Sequence, residues 1–492
     1  MFDVAIIGAG ITGSAIARNL SKYNLKTVVL EKGIEVCQGT TKANSAIVHG
    51  GFDAYEGSLK AKLNVLGNSL YPQLCKELSV EFRQNGSLVL AFNDKDLAHI
   101  DELYQRGLKN GVKNLEIIGA NKVKEIEPNV NKDVVGALLC KSSGIVCPFN
   151  LNVALMENAI NNGVELNLQS EVVAIKKVNS DNERYFEIKT KDKVIKSKYI
   201  INASGVFSDK INSLIGGDEF YIIPRKGEYK ILDKVEGDKA IHTLFTCPTE
   251  KGKGILVTQT IHGNLLVGPN STEVDLEDIT TTKSGLREIM DGSLKTVCNI
   301  DFSKTITSFA GVRATPNTGD FMIFESKKEE GFINVAGIES PGLASAPGVA
   351  IYVENILKDI LSKDGECLEL KSDFNPIRVK DKAFSQMTKE EIILAIEKNP
   401  KHKTIICRCE NVTEGEIIDA INRPCGARTV DGVKRRVRPG MGRCQGGFCG
   451  PKVVEIIARE LNIPVEDVLK DYEGSNMIVG KVKELRGETV EI

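Results

Sequence analysis

The chain has 492 residues, with 64 basic against 66 acidic side chains and a formal charge of −2. That length allows two or three domains with sizeable cores, while the balanced charge offers no basic surface for nucleic acid or an anionic membrane. No apolar run reaches the ~18 to 20 residues of a membrane span.

Met1-Phe2-Asp3-Val4 carries neither the basic start nor the apolar stretch of a secretory signal and reads as a strand. A cytoplasmic location follows as an expectation, with the twelve cysteines reduced or metal-bound rather than paired in disulfides. The apolar run Asp3 to Gly8 suits a parallel strand buried on both faces. Gly8-x-Gly10-x-x-Gly13 follows at once and opens a helix. In such a fingerprint the first glycine permits the turn, the second lets backbone approach a pyrophosphate, and the third lets helix and strand pack closely. A second strand, Thr27 to Leu30, ends at Glu31, placed to accept from a ribose hydroxyl. The fingerprint alone does not separate FAD from NAD.

Pro148 to Asn161 reads as a helix and leads into short strands near Gly163 to Leu166 and at Glu171-Val172. Tyr199 to Gly205 is a strand that ends in small residues. Residues 221 to 313 change character, with β-like runs at 220–232, 254–261 and 264–268 and a hairpin turn at His262-Gly263-Asn264. That placement makes His262 a turn residue. Ile333 to Leu343 is rich in glycine and precedes another helix.

Two cysteine pairs lie near the far end, Cys407-x-Cys409 and Cys444-x4-Cys449. Thiolates are soft ligands, and four in two close pairs suit a [2Fe–2S] cluster or a structural zinc. A dinucleotide site elsewhere gives an electron-transfer cluster a purpose, and C-x-C departs from usual zinc spacing. Arg428, Lys434, Arg435, Arg436, Arg438 and Arg443 crowd the segment before the second pair. This run is expected to be a solvated face, with docking of an acidic redox partner as the functional alternative.

Over residues 1–365 these motifs resemble the D-amino-acid-oxidase-like family of FAD-dependent oxidoreductases. The resemblance implies that Gly8, Gly10 and Gly13 hold the FAD pyrophosphate and Glu31 the adenosine ribose. It implies that Val172 meets adenine through its backbone and that Gly205, Gly337, Gly342 and Leu343 belong to the cofactor site. Thr40 to Gly51 matches the family's flavin-approach loop, which adds Thr41, Asn44 and Ser45 and makes His49 the candidate base. Imidazole suits removal of a hydroxyl proton; the alternative is that His49 only hydrogen-bonds cofactor or backbone. Family members often bind an anionic substrate group with an arginine at the Arg313 position, which a guanidinium fork serves well.

The tail, 404–462, resembles bacterioferritin-associated-ferredoxin-like [2Fe–2S] domains, which implies Cys407, Cys409, Cys444 and Cys449 as ligands. The whole is most similar to anaerobic-type glycerol-3-phosphate dehydrogenases, with L-2-hydroxyglutarate or other 2-hydroxy-acid and amino-acid dehydrogenases as the alternative. A third reading is an electron-relay subunit with no substrate of its own. One departure stands out: membrane-associated glycerol-3-phosphate dehydrogenases follow His-Gly-Gly with an arginine, and this chain has Phe52-Asp53-Ala54. Another cation would have to compensate, with Lys60, Arg225 and Lys226 as candidates.

The expected fold is α/β: a Rossmann-like FAD-binding domain, an antiparallel-sheet substrate domain and a small C-terminal α-rich [2Fe–2S] domain. The FAD part is expected at 1–75, 145–220 and 314–365, the substrate part at 76–144 and 221–313. A linker at 366–403, the cluster domain at 404–462 and a tail at 463–492 complete the chain. The expected partners are a small anionic substrate and an electron-accepting protein, for instance a second flavoprotein.

Overall fold

Five parallel strands build the first layer; Thr27–Leu30 and Phe332–Ala336 are wholly buried, whereas the edge strand Glu165–Asn167 is partly exposed. The computed structural model, which describes residues 1–179, 184–248, 254–363 and 365–480, orders them Phe332–Ala336, Val194–Asn202, Phe2–Ile7, Thr27–Leu30 and Glu165–Asn167. All four neighbouring pairs are parallel. Val172–Asn179 and Arg184–Thr190 join antiparallel and run on to Val194–Asn202, while Met322–Glu325 closes the other edge. The helix Ile11–Leu20 packs on Pro148–Asn161 and Gly342–Lys363. This is the doubly wound pattern in which ligands gather beyond the carboxyl ends of the strands.

Among the described residues a second sheet carries nine strands. Its spine is the pair Ile222–Leu232 and Thr305–Pro316, antiparallel along their full length. Leu265–Gly268, Leu256–Gln259, Thr243–Thr246, Ser87–Ala91, Gly136–Cys140 and Leu115–Gly119 follow outward. Every join is antiparallel except Thr243–Thr246 with Ser87–Ala91. Gly263, with φ of +87°, sits in the turn that leads into Leu265–Gly268, and His262 lies in that turn.

The chain divides into two compact units, the first comprising Met1–Lys32 and Val36–Val379. Residues just before Val379 run bonded along the first unit, where the Arg378 guanidinium pairs with buried Glu157. The second unit comprises Gly33–Glu35 and the residues from Lys380 onward. It holds the helices Lys389–Lys398, Glu414–Asn422, Val430–Val437 and Gly450–Leu461 and one two-stranded ribbon. Thr388 and Thr413 start the first two helices with capping boxes, each accepting from the N–H of a glutamate that bonds back. Among the described residues no helix is long and apolar enough to cross a membrane.

Candidate functional site

The glycine loop is shaped by close contact. Gly8 has φ of +104°, and a Cβ there would meet the Ala203 carbonyl oxygen at 2.5 Å. At Gly13 a Cβ would strike the Gly8 carbonyl oxygen at 2.0 Å. At Gly10 it would meet only the Thr41 hydroxyl, at 3.2 Å, and at Gly205 nothing, so open space borders the loop. Glu31 accepts from the Ala9 N–H at 2.8 Å, which brings its carboxylate onto the loop. Asn152 donates to the Ala9 carbonyl at 3.1 Å, while its buried Oδ1 has no partner among the described residues. The buried Ser345 hydroxyl, in the first turn of Gly342–Lys363, is unpartnered too. Open space beside buried, unsatisfied polar atoms fits a bound dinucleotide. Asn152 escaped the sequence reading because it stands in an ordinary apolar helix.

Thr41 accepts from the Ile11 N–H at 3.0 Å, so it caps the helix that the glycine loop opens. Asn44 braces its own loop, donating to the Thr41 carbonyl and accepting from the Ala46 N–H, both at 2.8 Å. Ser45 lies 3.2 Å from the Tyr229 hydroxyl, and Tyr229 stacks on Phe309 at 4.7 Å. The loop also touches the second sheet at Gly311, where a Cβ would meet the Ala43 carbonyl oxygen at 2.0 Å. Val172 opens its strand at a register shift, and Gly337 has φ of +68°. Gly342 begins its helix, and the Leu343 carbonyl accepts from buried Tyr71.

His49 is half-buried. Asn64 and Asn68 donate to its carbonyl at 2.7 and 3.1 Å, and its ring lies 5.7 Å from that of Phe245. Arg313 donates to the Asn270 carbonyl at 3.1 Å and to Ser271 at 3.3 Å. Its direct partner across the sheet is Arg225. Cross-strand partners share a face, as do alternate residues, so Arg225 and Arg313 lie on the face that carries Gly311 and Tyr229. Strand periodicity could have found Tyr229, two positions beyond Gly227 and four beyond Arg225.

The other proposed cations are engaged elsewhere. Buried Lys226 pairs with Asp278 at 2.6 Å, and that bond, with others from Thr280, holds the Asp278 carboxyl down at about 2. Lys60 pairs with Glu339 at 2.6 Å. Phe52 is core, and exposed Asp53 turns its carbonyl to Arg106.

In the second unit Cys407 ends a strand, Cys409 follows in the turn, and Cys449 precedes the helix Gly450–Leu461. The Cys409 and Cys444 sulfurs are 3.8 Å apart, and Cys407 is hydrogen-bonded to Cys449. The Cys449 bond, with backbone N–H groups of Gly440, Glu410 and Cys409, holds the Cys407 thiol down at about 6. N–H groups of Phe448 and Gly446 lower Cys444. Burial raises Cys409, and the bond to Cys407 raises Cys449, so one thiol of each pair is favoured as thiolate. The four sulfurs thus lie as two pairs, Cys407 with Cys449 and Cys409 with Cys444, a donor set of soft thiolates that fits a [2Fe–2S] cluster.

Apart from exposed Arg443, the basic run is not the solvated face expected from sequence. Arg435 and Arg436 are buried and surround Glu35, which lies 4.0 Å from Arg435 and 2.7 Å from Arg436. Arg435 also pairs with Asp471 at 2.8 Å, and Arg438 with Glu410 at 2.8 Å. Arg428 donates to the carbonyls of Ile421 and Ala427, and burial lowers Lys434. Burial alone would raise Glu35; Arg436, Arg435, Thr429 and the Arg428 N–H outweigh it and hold it below the usual carboxylate range.

Comparison with known proteins agrees with this geometry. Residues 3–355 match the FAD dependent oxidoreductase family, and 405–459 match the BFD-like [2Fe-2S] binding domain. The chain is 47% identical to a glycerol 3-phosphate dehydrogenase of Caloramator mitchellensis over 98% of its own length and 99% of the relative's. It is 32% identical to a glycerol 3-phosphate oxidase of Mycoplasma genitalium, over 73% of this chain and 96% of that one. The solved L-alpha-glycerophosphate oxidase from Mycoplasma pneumoniae, with FAD bound, superposes with a TM-score of 0.72 at 28% identity, covering 77% of this chain and 99% of that one. With its fingerprint, its second sheet and its paired cysteines, the chain belongs to the FAD dependent oxidoreductase family and carries a BFD-like [2Fe–2S] domain.

Proposed function

We propose that this FAD-dependent dehydrogenase oxidises sn-glycerol 3-phosphate to dihydroxyacetone phosphate and passes the electrons to a separate protein. The observation that carries the substrate class is the cross-strand pair of Arg225 and Arg313. Like charges directly opposite each other destabilise a sheet; Glu273, opposite Arg225 on its other side, offsets part of that repulsion, and a dianionic phosphate would relieve the rest while accepting hydrogen bonds from both forks. The names of the relatives support the same substrate.

FAD, when bound, accepts the carbon-bound hydrogen as hydride, and a [2Fe–2S] cluster carries electrons singly. Gly8, Gly10, Gly13 and Glu31 would hold the dinucleotide, and Cys407, Cys409, Cys444 and Cys449 the cluster. Arg313 and Arg225 grip the phosphate. A ring nitrogen of His49 takes the hydroxyl proton, while Asn64 and Asn68 fix the main chain from which that ring projects. The stacked Tyr229 and Phe309 keep water from the sheet face. A cytoplasmic location accords with twelve cysteines that form no disulfide among the described residues.

Anaerobic titration of the FAD- and cluster-loaded protein with glycerol 3-phosphate, and separately with L-2-hydroxyglutarate, tests the reading. Flavin bleaching by the phosphate ester alone is expected. Bleaching by the hydroxy acid alone would overturn it, and bleaching by neither, while a reduced protein partner bleaches the flavin, would reassign the chain to electron relay.

A further inference from the structure

The four ligand cysteines are unequally covered. Cys407 and Cys449 are each 2% exposed, whereas Cys409 is exposed and Cys444 half-buried. The Cys409–Cys444 pair therefore forms the outer edge of the site. Phe448, in the tight loop between Cys444 and Cys449, is 87% exposed, more than any other large aromatic among the described residues. An aromatic ring held open to water gains nothing for the fold and suits an interface centre.

The exposed charges next to the ligand cysteines in the chain are mostly positive. Arg408 stands between two ligands, Arg443 precedes a third, and Lys452 lies in the first turn after the fourth; all three are exposed. The acid of the same loop, Glu410, is drawn inward by Arg438 at 2.8 Å. Further along the helix, Glu455 is an exposed carboxylate one turn beyond Lys452. The buried Arg435 and Arg436 are neutralised by Glu35 and Asp471 and add nothing to this surface.

We propose that exposed Phe448, with the exposed Arg408 and Lys452 that flank the ligand cysteines in the chain, forms the docking face for an acidic one-electron carrier protein. The inference rests on the proposed passage of electrons to a separate protein and names where and to what kind of surface they go. Each substrate oxidised releases two electrons and two protons. Each docking event moves one electron from the reduced cluster to the oxidised carrier, so two encounters complete a turnover. Positive side chains and a negative carrier speed the encounter, and the apolar ring sets its lifetime.

The test uses the full chain loaded with FAD and cluster, and an acidic plant-type ferredoxin, a basic cytochrome c and a small neutral dye as acceptors. Calorimetry on oxidised holoenzyme is expected to show ferredoxin binding that weakens with salt. Phe448→Ala and the pair Arg408→Glu with Lys452→Glu are each expected to weaken it by about tenfold or more. Visible spectra, flavin bleaching by glycerol 3-phosphate and dye reduction should stay unchanged in these variants. Equal binding and transfer in variant and parent, or preference for the basic cytochrome, would overturn the docking face. Dye reduction without transfer to either protein carrier would overturn the underlying reading of a protein acceptor, and the docking face with it.

Discussion

Glu35 and Arg436 make an ion pair at 2.7 Å in which the carboxylate is wholly buried and the guanidinium nearly so. Arg435 and Asp471 complete a group of two negative and two positive charges. Such a group is weak evidence for stability as a whole, but removing one member leaves a buried charge uncompensated.

Glu35→Ala should accordingly cost about 3 to 5 kcal/mol in the second unit. Urea unfolding followed by cluster absorbance measures it, with the flavin signal as an internal reference for the first unit. A fragment that begins at Lys380 lacks this carboxylate and should show the same loss. Adding Arg436→Met to Glu35→Ala should restore part of the stability.

Arg313 and Arg225 should behave as a coupled pair. Arg313→Ala and Arg225→Ala are each expected to lower kcat/KM by roughly tenfold to a hundredfold, as loss of charged hydrogen bonds predicts. The double variant should lose less than the sum, because each arginine alone grips the phosphate incompletely. Steady-state kinetics with a dye acceptor reads this, and strict additivity would mean that the two act on different groups.

Replacing His49 separates proton removal from backbone support. His49→Asn keeps the carbonyl that Asn64 and Asn68 hold, so substrate affinity should persist. The rate of anaerobic flavin bleaching should fall by about 10²- to 10⁴-fold. A drop below tenfold would hand the proton to another group and leave His49 as a scaffold.

Glu354 predicts an acid limb. Burial would raise its carboxyl, yet Lys22, Lys358, Tyr23 and Asn19 outweigh this with hydrogen bonds and bring it from 4.5 down to about 2. A depressed carboxylate stabilises the fold fully above its unfolded value and loses that contribution as pH falls through the folded one. The stability gap between the parent and Glu354→Gln should thus be widest above pH 4.5 and close toward pH 2. Urea midpoints across that range measure it, and a gap that is flat with pH would show that packing, not charge, is lost.

Removing iron should loosen one unit alone. Without metal, Cys407 and Cys449 face each other in a buried site with two competing thiols, and ligand binding energy is folding energy for a small metal domain. A loss of at least ~1 kcal/mol, or about 4 to 8 °C for a domain of this size, is expected by calorimetry. The transition of the FAD-bearing unit should not move.

The parts of this protein that were legible in sequence are those whose physics is local. Gly8, Gly10 and Gly13 announce a turn within six positions, and the apolar run from Asp3 to Gly8 announces the buried strand that precedes it. The basic run was misread because its counter-charge is distant: Glu35 and Arg436 are 401 positions apart. Lys226 looked available for the same reason, since Asp278 reaches it only after the chain has folded back. Arg225 and Arg313 were each visible, but the register that sets them opposite one another is a property of two paired strands.

A Cβ at Gly227 would lie 2.6 Å from an Arg313 nitrogen and 2.8 Å from Pro269. The guanidinium therefore rests over a position that has no side chain. A single hydrogen atom acts as the stop against which this positive charge is seated. Enlarging it by one methyl would displace the charge sideways without changing its amount, so the preferred length of a ligand could drift through steric bulk at a residue that never touches the ligand.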